Sequence, residues 1–181
     1  FAACGGVAGT GSSGLGKFSM DFKTLNTKTD IKKEFEVKKG LVTPLAINLD
    51  SKPIVRYIID VTDFDFDNNS SSAKPKDDKQ TAIEISLYGD SGDTVDSPLK
   101  VKTFELSSAG AKVDEKYGKV SNVIVKVFKD SKVEETSLAY NAKGTVKINS
   151  VSGDTVSGEV DITQDNGGKL KGNFTAQMRK K

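Results

Sequence analysis

Apolar and polar residues alternate along most of this chain. A period of two suits an extended strand with one face buried and the other wet. The pattern is cleanest toward the C-terminus, where three alternating segments span 144–151, 155–163 and 169–178. Ser152-Gly153-Asp154 and Asn166-Gly167-Gly168 separate them, and these residue types tolerate the positive φ that tight hairpin turns demand. The spacing predicts an antiparallel meander. Val156, Val160 and Ile162 face the core, with Gly158 in the same row, and Leu170, Phe174, Ala176 and Met178 do so on the next strand. Ser157, Glu159 and Asp161 face water, as do Lys169, Lys171, Asn173 and Thr175. A one-residue slip would turn each apolar row outward, so the register is strongly specified.

Further strands follow from the same period. Phe18, Met20 and Phe22 alternate with polar residues, as do Phe35 and Val37, and Leu45, Ile47 and Leu49. Val55, Tyr57, Ile59 and Val61 make a longer row, which Phe64 and Phe66 extend. Strands at Ile83–Leu87, Val101–Leu106 and Val123–Phe128 complete the set. The segment from Asn68 to Lys79 holds no large apolar residue and contains Pro75, so it reads as a long loop, a length that usually marks function or mobility. Helical signal is confined to Ala109–Lys119, and Gly110 and Gly118 weaken it. Short strands, frequent turns and no βαβ rhythm predict an all-β domain, an antiparallel β-sandwich or barrel ending in a three-stranded meander. The 181 residues suit a single domain at residues 17–181 preceded by a tether at residues 1–16.

The tether carries the only cysteine. Phe1-Ala2-Ala3-Cys4-Gly5-Gly6 leads into a Gly/Ser run. This arrangement resembles the lipobox of bacterial lipoproteins: a bulky apolar residue, two small residues, then the lipidated cysteine. Phe1 stands where such motifs more often have Leu. The resemblance implies a signal peptide ending near Ala3, a diacylglyceryl thioether on Cys4, and commonly an N-acyl chain such as palmitate. Gly5 in place of the Asp that marks inner-membrane retention in some bacteria implies the outer membrane or cell surface. A membrane partner is then met through the lipid anchor, since no stretch has the length of a transmembrane helix.

Composition narrows the chemistry. Histidine is absent, which removes Ser-His-Asp and Cys-His catalysis and the usual His-containing zinc sites. A net charge of +2, with 27 basic residues spread among 25 acids, gives no footprint for nucleic acid. Lys32, Lys33, Lys38 and Lys39 form the densest basic patch, yet Glu34 and Glu36 interrupt it. Gly9 to Gly14 matches G-x-G-x-x-G and Gly11 to Lys17 matches G-x-x-x-x-G-K. Neither follows a strand, and Phe18 replaces the Mg²⁺-binding hydroxyl, so a phosphate site is not expected. Ser71 with Lys74 and Ser97 with Lys100 match S-x-x-K, but both pairs sit in polar loops where nothing would activate the lysine.

Two acidic features remain. Asp63, Asp65 and Asp67 alternate with Phe64 and Phe66. On a strand the three carboxylates share one face, with Asn68 and Asn69 adding oxygens, and hard oxygens of this kind suit Ca²⁺. The competing reading is a solvated face whose charge discourages edge pairing. Asp60 lies on the face of Ile58 and needs a partner if buried, and Arg56 on the same face is a candidate. The expected protein is a non-catalytic cell-envelope lipoprotein acting as a binding or accessory module for a protein or glycan. The alternative is a structural subunit of a surface assembly or filament, self-assembling with its N-terminal segment laid on a neighbour.

Overall fold

The computed structural model describes residues 14–23, 30–49, 51–107, 111–138 and 142–180. Residues 1–13 of the expected 1–16 tether, with the lipobox and most of the two glycine motifs, lie outside that set, as do parts of the predicted helix region. The described chain is nearly all β. Its strands are β1 (Lys17–Lys23), β2 (Asp30–Glu36), β3 (Lys39–Leu49), β4 (Lys52–Thr62), β5 (Thr81–Tyr88), β6 (Thr103–Glu105), β7 (Val120–Lys129), β8 (Lys132–Ser137), β9 (Ala142–Ser152), β10 (Thr155–Gln164) and β11 (Lys169–Met178). Among the described residues of the predicted helical segment, one helical turn forms, α1 (Val113–Lys116).

The strands run in the order β6-β9-β10-β11-β3-β4-β5-β7-β8, with β1 pairing β11 and β2. The path forks at β11. Its residues 169–172 pair antiparallel with β1, whereas Gln177 and Met178 pair parallel with Leu41 and Val42 of β3. The expected sheet was antiparallel throughout. The observed sheet is mixed, because β3 reaches the far end of β11 running in the same direction. The sheet folds over itself in a sandwich-like way, and its inward residues form one hydrophobic cluster that draws on β1 to β7 and β9 to β11. The ladder stays unclosed. A single parallel bridge from Leu106 to Val120 links the end of β6 to the start of β7.

The meander β9-β10-β11 has the expected register, with Val156 opposite Ala176, Val160 opposite Gly172 and Ile162 opposite Leu170. Val156, Val160, Ile162, Leu170, Phe174 and Ala176 are buried. Gly153 and Gly167 hold positive φ at the two turns, as hairpin geometry requires. Elsewhere the boundaries move. β3 begins six residues before Leu45, and Leu45 itself is 37% exposed, because β3 pairs with β11 only at Leu41 and Val42 and runs on from there beside β4. β4 stops at Thr62, so Phe64 and Phe66 do not extend it.

Candidate functional site

β4 is buried on both faces. Tyr57, Ile59 and Val61 point into the main core, while Ile58, Asp60 and Thr62 are also buried. The cover over this second face is the loop from Asp63 to Gln80. Its apolar residues Phe64, Phe66 and Ala73 pack with Ala82 in a small cluster separate from the main core. Phe64 and Phe66 meet edge to face at 6.4 Å. The loop is pinned at both ends. The Thr81 N–H donates to Asp63 Oδ1 at 2.7 Å. Lys33 Nζ donates to Asp63 Oδ2 at 3.0 Å and to Thr81 Oγ1 at 2.7 Å. Thr62 Oγ1 donates to the Phe64 carbonyl at 2.6 Å.

Beneath the loop lies a cluster of charges. Asp60 on β4 stands opposite Glu84 on β5, and Lys126 on β7 donates to Glu84 Oε2 at 2.6 Å and to Ser72 Oγ at 2.5 Å. Asp60 Oδ1 accepts the Ala73 N–H at 3.4 Å. Arg179, just beyond β11, donates to the Ser70 carbonyl, and its Nε is buried without a hydrogen-bond partner. Burial pushes the Asp60 carboxyl up to about 6, and the nearby Glu84 carboxylate adds to the rise. Lys126, the Ala73 amide and Arg179 pull it back only in part. Arg56 does not enter this cluster: its Nε is buried and unpartnered, and the cations acting on Asp60 are Lys126 and Arg179. Those two come from β7 and the C-terminal segment, too far along the sequence to be found by spacing from Asp60.

The arrangement does not supply an activated nucleophile. Ser72 and Lys126 form a Ser-Lys contact that sequence spacing missed. Lys126 is ion-paired with Glu84 at 2.6 Å, whereas a Ser-Lys dyad needs a lysine free to accept the serine proton. At the S-x-x-K match of Ser97 and Lys100, Lys100 is bound to Asp90 at 2.9 Å and Asp93 at 3.0 Å. The neighbouring Tyr57 hydroxyl is held protonated, its pKa pushed up to about 12 chiefly by burial. It donates to the Ser97 carbonyl at 2.9 Å.

The acidic stripe is dispersed, because the chain leaves the sheet at Thr62. Asp63 is bound to Lys33 and the Thr81 amide, Asp65 is exposed, and Asp67 Oδ1 accepts the Asn69 N–H at 2.9 Å. Among the described residues, no group of three or more His, Cys, Asp or Glu side chains is placed to share a metal ion. Asp67 instead shapes the turn that presents Asn68 and Asn69.

That turn forms one wall of a groove of about 590 Å³, a size typical of small-ligand sites. Lys39, Gly40 and Leu41 of β3, Asp154 of the β9–β10 turn, Gln177 and Met178 of β11, Arg179, Lys180 and Leu15 complete it. Leu15 is held there by the sheet: its carbonyl accepts the Thr175 N–H at 2.5 Å, and the next carbonyl, of Gly16, accepts from Val37 at 2.8 Å. Lys39 Nζ donates to the Phe66 carbonyl and lies 4.8 Å from the Phe66 ring centroid. The groove and the buried cluster therefore share the loop and Arg179. Comparison with protein-family models, with curated proteins and with solved structures yields no match.

Proposed function

We propose that the chain is a non-catalytic binding module of the bacterial cell envelope, lipid-anchored through Cys4, with its ligand taken in the groove beside Leu15. The position of that groove carries the reading. It opens where the chain enters the domain, and at ~3.5 Å per residue the span from Cys4 to Leu15 reaches at most about 40 Å. A ligand held there is held close to the anchoring surface. The amides of Asn68, Asn69 and Gln177, the Asp154 carboxylate and the Lys180 ammonium line it beside Leu15, Leu41 and Met178. Polar side chains beside small apolar patches suit a hydroxyl-rich ligand, and an envelope glycan is the class we favour.

Two measurements test the two halves of this reading. Amide chemical shifts followed during titration with soluble glycan fragments of the envelope should move at Asn68, Asn69, Gln177 and Lys180. Shifts confined to other surfaces, or none at millimolar fragment, would overturn the groove assignment. A clickable palmitate fed to a bacterial host should label the wild type and not Cys4→Ser. Equal labelling of both would remove the anchor.

A further inference from the structure

We propose that the loop from Asp63 to Gln80 is a proton-operated strap: it lies tightly on the sheet while Asp60 is protonated and lifts more readily once Asp60 ionises. The geometry has the parts such a device needs. Both ends are fixed at the Asp63–Thr81 contacts. Between them the strap rests on a small cluster of its own, separate from the main core. A segment that packs on a satellite cluster and adds no strand to the sheet can open without global unfolding. What holds its middle down is polar: Ser70 on Arg179, Ser72 on Lys126, and the Ala73 amide on Asp60.

The groups facing Asp60 are Glu84 from β5, Lys126 from β7, Arg179 beyond β11 and the Ala73 N–H from the strap. Lys126 is already committed to Glu84. An ionised Asp60 is therefore a second buried anion beside Glu84, opposed by an arginine whose Nε has no bond. Lifting the strap admits water to Asp60 and relieves that burial.

The sign follows from which form binds the proton better. The closed form holds the proton with a pKa of about 6, and the solvated carboxyl falls back toward 3.8. Protons therefore favour closure, and the closed form loses its advantage as pH rises from about 4 through 6. That separation corresponds to roughly a hundredfold change in the opening equilibrium. Asn68 and Asn69 ride on the strap and line the groove, so lifting it would reshape the ligand site. That consequence rests on the groove reading above, whereas the strap does not.

Hydrogen exchange of the full chain, without ligand, tests the strap by itself. After correction for intrinsic exchange rates, opening at the Ala73 amide should increase roughly twenty- to thirtyfold between pH 4.5 and 7.5. Amides of β10 should keep their protection. In Asp60→Asn the Ala73 opening should not vary with pH. As a readout needing no variant, the Asp60 carboxyl carbon should titrate near 6 with the same midpoint as the exchange. Protection at Ala73 that does not vary with pH in the wild type would overturn the proposal, as would an equal loss across β10. A negative glycan titration beside a positive exchange result would refute the groove ligand and leave the strap standing.

Discussion

Phe174 and Gly158 sit directly opposite each other on β11 and β10, and each explains the other. A Cβ at position 158 would lie 2.6 Å from Phe174 Cζ and 2.7 Å from the Lys147 carbonyl oxygen. The ring therefore occupies the space that a side chain would need. Phe18 covers Gly172 of β11 in the same way. Phe174 is 2% exposed, and its truncation would leave a void that the glycine opposite cannot fill. Phe174→Ala should cost about 3–5 kcal/mol, whereas Thr175→Ala, one position on and facing out, should cost at most about 0.5 kcal/mol. Urea melts with similar midpoints for both variants would contradict this division of the strand. Asp60 gives the opposite kind of prediction. Its folded pKa of about 6 exceeds the ordinary 3.8, so its ionisation opposes folding by about 3 kcal/mol above pH 6 and by nothing below pH 4. Asp60→Asn keeps the acceptor for Ala73 and removes the charge. It should be more stable than wild type at pH 8, and the gap should close as pH falls to 4. Denaturant midpoints across that range check it, and a constant gap would refute it.

Strands that bury one face cleanly were legible in the sequence, and those that do not were not. The meander could be read because every second residue enters the core. β8 escaped notice because it is an edge strand in which only Thr136 is buried and Val133 is its only large apolar residue. The available clue was the turn before it. Asp130 and Ser131 both hold positive φ, at 49° and 63°, the signature of a type I′ hairpin built without glycine. Ser131→Gly relieves a left-handed conformation that costs an ordinary residue about 1–2 kcal/mol, against about 0.5–1 kcal/mol of extra chain entropy. It should leave stability unchanged or raise it by up to about 1 kcal/mol, measured as a urea midpoint. A clear loss would show that the serine hydroxyl anchors the turn. The candidate site was half legible. Asp60 stood out as a polar group in an apolar row, and residues 68–79 stood out as a long loop. Their meeting did not, because the loop returns over β4 through Lys126 and Arg179, contacts between residues far apart in sequence. The strand rule also misplaced Asp63, Asp65 and Asp67. It assumed that alternation meant extension, whereas Phe64 and Phe66 fold back onto the outer face.

The fork at β11 sets the logic of the whole molecule. One strand joins the arm that holds β1 and β2 to the arm that holds β3, β4 and β5. The free edges at β2 and β8 carry Lys32, Lys33, Glu34 and Glu36, and Lys132, Glu134 and Glu135. Charge of this density discourages strand addition at those two edges. Removing residues 169–181 should abolish cooperative folding, because it takes away the one strand to which β1, β3 and β10 all pair. A sigmoidal urea transition in that truncated chain would show that the arms cohere without β11. The same fork has a consequence in time. Phe18 waits for Gly172, about 150 residues later in the chain, so loop-closure entropy must be overcome before the core is complete. Domains so rich in distant pairings fold in milliseconds to seconds. During synthesis the N-terminal strands emerge long before the strand that binds them, and the chain stays open until that strand arrives. A polypeptide that cannot finish folding early keeps its apolar rows in water for longer, so the docking of its last strand decides when they are sheltered.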